Sequence, residues 1–309
     1  MASIDFNPEK DIPDLAGKVI LITGGTSGVG LETIKCLLQH GPSEIIFTGR
    51  NKAAADTIIE THTTSHPNVK LSFLPCDLSS LQSVKSISTN LLSNLDRLDL
   101  LLCIAGIMAV PASLSVDGYE VQFATNHLGH ALLIKHLLPL LEHTAKQPHS
   151  DVRILLTSSQ ASNPPMPPPE GIQFDRLHTP QPMIGGTWRR YGQSKLANVV
   201  YARALASRYP RITVASVHPG IAMTGIVRDV GWFNYCFVLA TTMGRRRPAN
   251  ELAWNGVWAA TGPREEVQSG AYYEPVGQRV EFAKGDKRGH EALEEVLWEW
   301  TQEELRKWM

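Results

Sequence analysis

Tyr191 and Lys195 stand four positions apart in Tyr191-Gly192-Gln193-Ser194-Lys195. On a helix these two side chains share one face. A phenol gives up its proton at about pH 10 in water, and an ammonium one turn away favours the phenolate and lowers that value. Tyr191 then exchanges a proton with a carbonyl or alcohol near neutral pH. Taken alone, such a pair is often a chance feature of an ordinary helix. Ser159 ends the apolar run Arg153-Ile154-Leu155-Leu156-Thr157-Ser158-Ser159 and offers a hydroxyl to a substrate oxygen, although serines at strand ends are commonplace. Asn126 lies inside a helical pattern, Thr125-Asn126-His127-Leu128-Gly129, where asparagine is a poor residue. Either it bonds back to the helix backbone, or it positions a water beside Lys195 that completes a proton relay.

The stretch Val19-Ile20-Leu21-Ile22-Thr23-Gly24-Gly25-Thr26-Ser27-Gly28-Val29-Gly30 adds a cofactor site. An aliphatic run, a glycine turn and a helical pattern, in that order, are the context of a dinucleotide fingerprint. Gly24 makes the tight turn, Gly28 lets the backbone approach a pyrophosphate, and Gly30 lets the helix pack close to the strand. The amides around Thr26, Ser27 and Val29, at the positive end of the helix dipole, hold the phosphates. The second strand ends Phe47-Thr48-Gly49-Arg50, with no acidic residue at 47–51 to bind a ribose 2′-hydroxyl. Arg50 instead offers a guanidinium to a 2′-phosphate, which points to NADP(H). Asp77, followed by Leu78, is placed after the third strand to accept from the adenine amino group. Pro219 and Gly220 follow the sixth strand, and a turn there brings Thr224 to the nicotinamide carboxamide. The positive ring of the oxidised cofactor would further favour the Tyr191 phenolate.

These sites need elements to position them. Strands are expected at 19–23, 44–48, 69–74, 98–104, 152–157 and 212–217, alternating with helices at 31–40, 51–65, from a Ser79 cap to about Asn94, 117–141 and 188–208. Alternation of this kind predicts one α/β domain, a Rossmann-type doubly wound parallel sheet of about seven strands with helices on both faces. Residues 1–16 read as a surface arm, 17–290 as the dinucleotide-binding domain with a substrate loop at 222–247, and 291–309 as a helix docked on the same body. In that helix Leu293, Val296, Leu297, Trp300 and Leu305 fall on one stripe.

The chain has 309 residues, 43% hydrophobic and 19% charged, with a net charge of −1, so no global field recruits nucleic acid or an anionic membrane. Cys36, Cys76, Cys103 and Cys236 are scattered and read as reduced thiols, and no signal peptide or membrane span is evident, which together point to the cytoplasm. His62 and His66 have helical metal-binding spacing but no third ligand nearby, so no metal is expected.

Thr23 to Gly30, Asp77-Leu78, Ala105-Gly106, Asn126, Ser159, Tyr191/Lys195 and Pro219-Gly220 occur in the order found in the short-chain dehydrogenase/reductase family, and the chain resembles its compact branch. Tyr191 to Asn198 (YGQSKLAN) and Gly171 to Asp175 (GIQFD) resemble the retinol-dehydrogenase-like and fungal secondary-metabolism members. The resemblance implies hydride transfer between NAD(P)(H) and a carbonyl or alcohol, with Asn126, Ser159, Tyr191 and Lys195 as a catalytic tetrad. It also implies cofactor contacts at Ala105 and Gly106, and possible assembly as a homodimer or homotetramer. Two departures stand out. Cys103-Ile104-Ala105-Gly106 replaces the usual Asn-Asn-Ala-Gly, which removes a polar contact near the adenine ribose or central strand. Ser159 and Tyr191 are 32 positions apart, and the added length holds Pro164, Pro165, Pro167, Pro168 and Pro169, a segment expected to cross the active-site mouth or a subunit face.

The expected activity is an NADP(H)-dependent oxidoreductase. Trp232, Phe233, Tyr235, Phe237 and Met243 suit a bulky apolar substrate such as a polyketide, terpenoid, steroid- or retinoid-like ketone, or else serve core or dimer packing. The rival readings are a non-catalytic cofactor-sensing protein on the same fold, and an epimerase or dehydratase.

Overall fold

The computed structural model describes residues 4–183, 185–220, 248–283 and 285–309. Strand β1 (Val19–Thr23) is buried at every position, as its unbroken aliphatic run requires. It pairs in parallel with β2 (Glu44–Gly49) on one side and β4 (Leu100–Cys103) on the other. β3 (Lys70–Pro75) lies outside β2, and β5 (Arg153–Thr157), β6 (Thr213–Val217) and β7 (Tyr272–Glu274) continue beyond β4. The order β3-β2-β1-β4-β5-β6-β7-β8 reverses direction between β1 and β4, which opens a crevice at the carboxyl ends of the strands there. Among the described residues seven strands run parallel. The eighth, β8 (Gln278–Arg279), adds a two-residue antiparallel pairing through a turn with Gly277 at φ +66°. A pairing that short leaves no alternation to read in sequence.

Between the strands run α2 (Gly28–Leu38), α3 (Lys52–Ser65), α4 (Leu81–Asn94), a long helix α5 spanning 121–145, α6 (Gly186–Arg208) and α7 (Trp254–Thr261). Two buried clusters flank the sheet. One collects apolar residues of α4, α5 and α6, and the other those of α2, α3 and α7. The N-terminal stretch expected as a surface arm is docked. It forms the short helix α1 (Pro8–Asp11) and buries Phe6, Ile12 and Leu15 in the second cluster.

Local chemistry moved several boundaries. Ser80, not Ser79, caps α4 by accepting from the Ser83 amide, because Asp77 Oδ1 already holds both the amide and the hydroxyl of Ser79. Helix α5 begins four residues later than its pattern suggests, at Val121, where Glu120 caps it by accepting from the Phe123 amide at 2.7 Å. It is α-helical over Val121–Phe123, widens to a π-helix over Ala124–Leu128 and returns to α over Gly129–Ala145. The last helix, α8 (Glu291–Glu304), lies on α6 with Leu293, Leu297 and Thr301 buried and Trp298 stacked on Tyr201 at 5.6 Å. Val296, placed on the apolar stripe by spacing, is instead exposed at 48%.

Candidate active site

The glycine loop bridges β1 and α2. Gly24 sits at φ +74°, and a Cβ there would lie 2.9 Å from the Ala105 Cα, so the turns after β1 and β4 touch. A Cβ on Gly30 would lie 2.3 Å from the Gly24 oxygen, which is the close helix approach expected of it. Gly28 has φ +56°, and Ser27 precedes α2 without a side-chain capping bond, so the amides of Gly28, Val29 and Gly30 stay available to an anion. Thr26 abuts Gly49, where a Cβ would be 2.9 Å from its hydroxyl. Next to Gly49, Arg50 is exposed and makes no hydrogen bond or ion pair among the described residues. Asp77 spends Oδ1 on Ser79, at 2.9 Å to the amide and 2.7 Å to the hydroxyl. Leu78 is buried, and its carbonyl faces Gly129, where a Cβ would lie 2.4 Å away. This donor set and backbone cradle fit a dinucleotide.

The four residues of the expected tetrad converge at the carboxyl ends of β4 and β5. Ser159 stands beside Tyr191, where its side chain favours the phenolate, and its Oγ accepts from the Ala161 amide at 3.2 Å. Lys195 Nζ donates to the Thr157 carbonyl at 3.0 Å and lies 5.8 Å from the centre of the Tyr191 ring. The neighbouring serine, Ser158, is committed elsewhere, donating to the Lys195 carbonyl at 2.8 Å. Asn126 sits in the π-helical turn. Its Oδ1 accepts from the Ile107 amide at 2.9 Å, and its Nδ2 donates to the Ile107 carbonyl at 3.0 Å and to Ser194 Oγ at 2.9 Å. Ser194 Oγ in turn donates to the Tyr191 carbonyl at 2.7 Å. Gly106 touches this group: a Cβ there would lie 2.9 Å from Asn126 Oδ1 and 3.3 Å from Lys195 Nζ.

The protein's own groups do not lower the Tyr191 phenol. Burial pushes it up to about 12, partly countered by the Ser159 side chain, and burial brings Lys195 down to about 8. Desolvation of the buried phenolate sets this direction; the expected lowering joins Lys195 to the positive ring of the oxidised cofactor.

Pro219 and Gly220, the latter at φ +96°, follow β6. Val29, Ile104, Thr157, Val217, Pro219 and Leu252 line a narrow apolar cleft that runs from α2 to this end of the sheet. Thr224, the substrate loop 222–247 with its aromatics, and Cys236 lie outside the described residues. The proline-rich segment packs on α6 directly beside Tyr191. A Cβ on Gly192 would lie 2.8 Å from the Ala161 oxygen and 2.9 Å from the Pro167 nitrogen, and Pro167 and Pro168 are buried. Arg190 is buried against Glu120 at 3.3 Å and donates to the Gln181 carbonyl at 2.9 Å and the Val110 carbonyl at 3.1 Å, tying both segments to α6 next to Tyr191 in the chain. A larger open groove between α6, β8 and α8 is lined by none of the tetrad, and it holds the ion pairs of Arg203 with Glu294 at 3.3 Å and Arg208 with Glu295 at 2.5 Å. His62 and His66 stand with ring centres 6.4 Å apart, and no cluster of three metal-ligating side chains occurs among the described residues. No helix among them is long and apolar enough to cross a membrane.

Asn198 Nδ2 donates to the Asn126 and Thr157 carbonyls, each at 3.0 Å. Sequence reading missed the parts played by Ile107, Thr157, Ser194 and Asn198. Ile107 and Thr157 act through backbone groups that carry no side-chain signal. Asn198, three residues past Lys195, was within reach of a helical-spacing argument.

A family model described as short chain dehydrogenase matches residues 18–169. The short-chain dehydrogenase/reductase drtF of Aspergillus calidoustus is 34% identical over 309 residues, covering 96% of this chain and 96% of its own. The chain belongs to the short-chain dehydrogenase/reductase family. This dehydrogenase/reductase is also similar to the RhlG/NADP active-site complex of Pseudomonas aeruginosa, with TM-score 0.65 and 26% identity over 88% of this chain and 98% of that one. An NADPH-bound carbonyl reductase from chicken fatty liver shares the fold, at TM-score 0.64 and 22% identity over 87% of this chain and 100% of that one. The dehydrogenase/reductase is thus an oxidoreductase on a nicotinamide-cofactor fold.

Proposed function

We propose that this dehydrogenase/reductase uses NADP(H) to interconvert a carbonyl and an alcohol, with Asn126, Ser159, Tyr191 and Lys195 as its tetrad. One observation carries the reading: Ser159 and Tyr191 stand together, with Lys195 one helical turn on, beside the glycine loop at the switch point of the sheet. NADP(H), when bound, supplies or accepts the hydride. Tyr191 is a phenol at neutral pH and donates its proton to the substrate oxygen in the reducing direction. Ser159 polarises that oxygen. Lys195 stabilises the resulting phenolate and binds the nicotinamide ribose. Asn126 has both Nδ2 protons engaged, so a relay water takes the remaining lone pair of Oδ1, on the side of Gly106 and Lys195.

The amides of Gly24 and of Thr26 to Gly30 hold the pyrophosphate, and Arg50 takes the 2′-phosphate. Asp77 Oδ2 and the Leu78 backbone receive the adenine. Ala105 and Gly106 border the adenosine ribose, and Pro219, Gly220 and Thr224 the nicotinamide. Half-buried Trp188, edge-on to Tyr191 at 6.1 Å, supports a bulky apolar substrate of the polyketide, terpenoid, steroid or retinoid kind. Unpaired Cys36, Cys76 and Cys103 fit work in a reducing compartment such as the cytosol, and self-association as a homodimer or homotetramer is read by light scattering.

The test is NADPH oxidation against a panel of apolar ketones and aldehydes, with NADH alongside. Turnover with NADPH that Tyr191→Phe abolishes supports the reading. Tight NADPH binding with no turnover on any carbonyl supports cofactor sensing instead.

A further inference from the structure

His130 is fully buried one helical turn past Asn126, and the proposed chemistry does not use it. Its two ring nitrogens face different partners. Nε2 lies 2.9 Å from Thr23 Oγ1, and Nδ1 lies 3.0 Å from the Asn126 carbonyl oxygen. The Thr23 hydroxyl decides which nitrogen carries the proton. Its oxygen already accepts from the Ile104 amide at 2.9 Å and the Ala105 amide at 3.0 Å, which uses both lone pairs. Its own proton must then be donated, and Nε2 is nearer than its other acceptor, the Leu102 carbonyl at 3.5 Å. His130 is therefore neutral with its proton on Nδ1, donating to Asn126. Burial, reinforced by nearby Lys195, brings its pKa down to about 4.

The Asn126 carbonyl is a junction. It also accepts from Asn198 Nδ2 at 3.0 Å, and that same amide donates to the Thr157 carbonyl at 3.0 Å, where Lys195 is bound. Both lone pairs of the Asn126 peptide oxygen are thus taken by side chains, one from its own helix and one from α6. The turn carrying the carbonyl is the π-helical one, a widening that recurs at functional sites.

We propose that His130 is a positioning residue of this active site. As the neutral Nδ1–H tautomer, held by the Thr23 hydroxyl under the glycine loop, it anchors the Asn126 backbone and with it Asn126's grip on Ile107 and Ser194 behind Tyr191. The peptide oxygen of Asn126 is then a fixed strut between α5 and α6. The catalytic part of this proposal rests on the tetrad reading above; the tautomer does not.

Long-range proton–nitrogen correlation spectra of the ligand-free full chain test it, with the His130 signals assigned by their absence in His130→Gln. The expected pattern is a neutral Nδ1–H ring that does not titrate from about pH 5 to 8. An Nε2–H ring, or titration near the ordinary histidine value of about 6.5, overturns the proposal. In kinetics, His130→Phe is expected to lower kcat by about tenfold to a hundredfold while KM for NADPH stays within about twofold. His130→Gln, whose amide can donate and accept, is expected to restore most of that loss. A folded Phe variant with unchanged kcat overturns the proposal. If the Phe variant does not fold, the spectrum and the Gln variant decide: a folded Gln variant whose kcat falls by about tenfold or more overturns the proposal. Absence of carbonyl turnover in the unsubstituted chain refutes the tetrad reading and leaves the tautomer to the spectrum.

Discussion

Tyr191 holds its proton more tightly than a phenol in water, since burial raises it to about 12. It therefore carries its proton at pH 7, and removing only its hydroxyl tests its part as the donor. Tyr191→Phe is expected to lower kcat by about 10²–10⁴, with NADPH affinity by calorimetry unchanged. Lys195 titrates closer to physiological pH, because burial lowers it from 10.5 to about 8. A lysine below its pKa is charged, so the phenolate left after proton donation is stabilised at pH 7 and loses that support as pH rises. The reductive kcat is expected to fall through about pH 8 as Lys195 deprotonates, and a flat profile across that range, with chemistry rate-limiting, would contradict the role. Arg50 is exposed and unengaged among the described residues, so its removal should cost little stability. Arg50→Ala is expected to narrow the preference for NADPH over NADH in titrations, and equal affinities before and after the change would remove the 2′-phosphate assignment.

Helix α5 works as an element because its backbone is not uniform. The π-helical turn at 124–128 holds Asn126 between Ile107 and Ser194, and Gly129 immediately follows against the Leu78 carbonyl. Glycine is required there by space and not by backbone angle. A Cβ 2.4 Å from a backbone oxygen cannot be relieved by rotating a side chain, so α5 or the Leu78 turn must move. Gly129→Ala is expected to destabilise the fold by about 1–3 kcal/mol in denaturant unfolding. An unchanged midpoint would mean that the two segments separate easily. Helix α6 is bound as firmly from the other side, by the buried Glu120–Arg190 pair and by the proline-rich segment lying on Gly192.

Across the whole molecule, α8 ties the C-terminal segment to the helices that carry the tetrad. Thr301 Oγ1 lies 3.2 Å from Nε2 of His127, the residue after Asn126. The Tyr119 hydroxyl donates to Glu304 at 2.7 Å, and His136 Nε2 lies 3.2 Å from the Trp308 carbonyl. Leu297 is fully buried in the cluster shared by α4, α5 and α6. Leu297→Ala leaves a cavity there and is expected to cost about 2–5 kcal/mol, measured by chemical unfolding. A loss below about 0.5 kcal/mol, the range of surface substitutions, would make α8 an appendage.

The strand, turn and helix of the glycine loop were determined by sequence alone, because an unbroken aliphatic run and glycines at required turn positions are local facts. The Tyr191–Lys195 pairing was legible for the same reason: helical periodicity places positions four apart on one face. The tertiary structure alone decided what those side chains meet. Asn126 binds Ile107 and Ser194, 19 and 68 positions away, and Lys195 rests on a Thr157 carbonyl that any residue could have supplied. The height of the Tyr191 pKa, the docking of residues 4–16, the exposure of Val296 and the pairing of β8 also arise from neighbours remote in the chain. A side chain carries its reach and its chemistry in its identity. Its partner, its dielectric surroundings and the backbone groups turned toward it exist only once distant elements have packed.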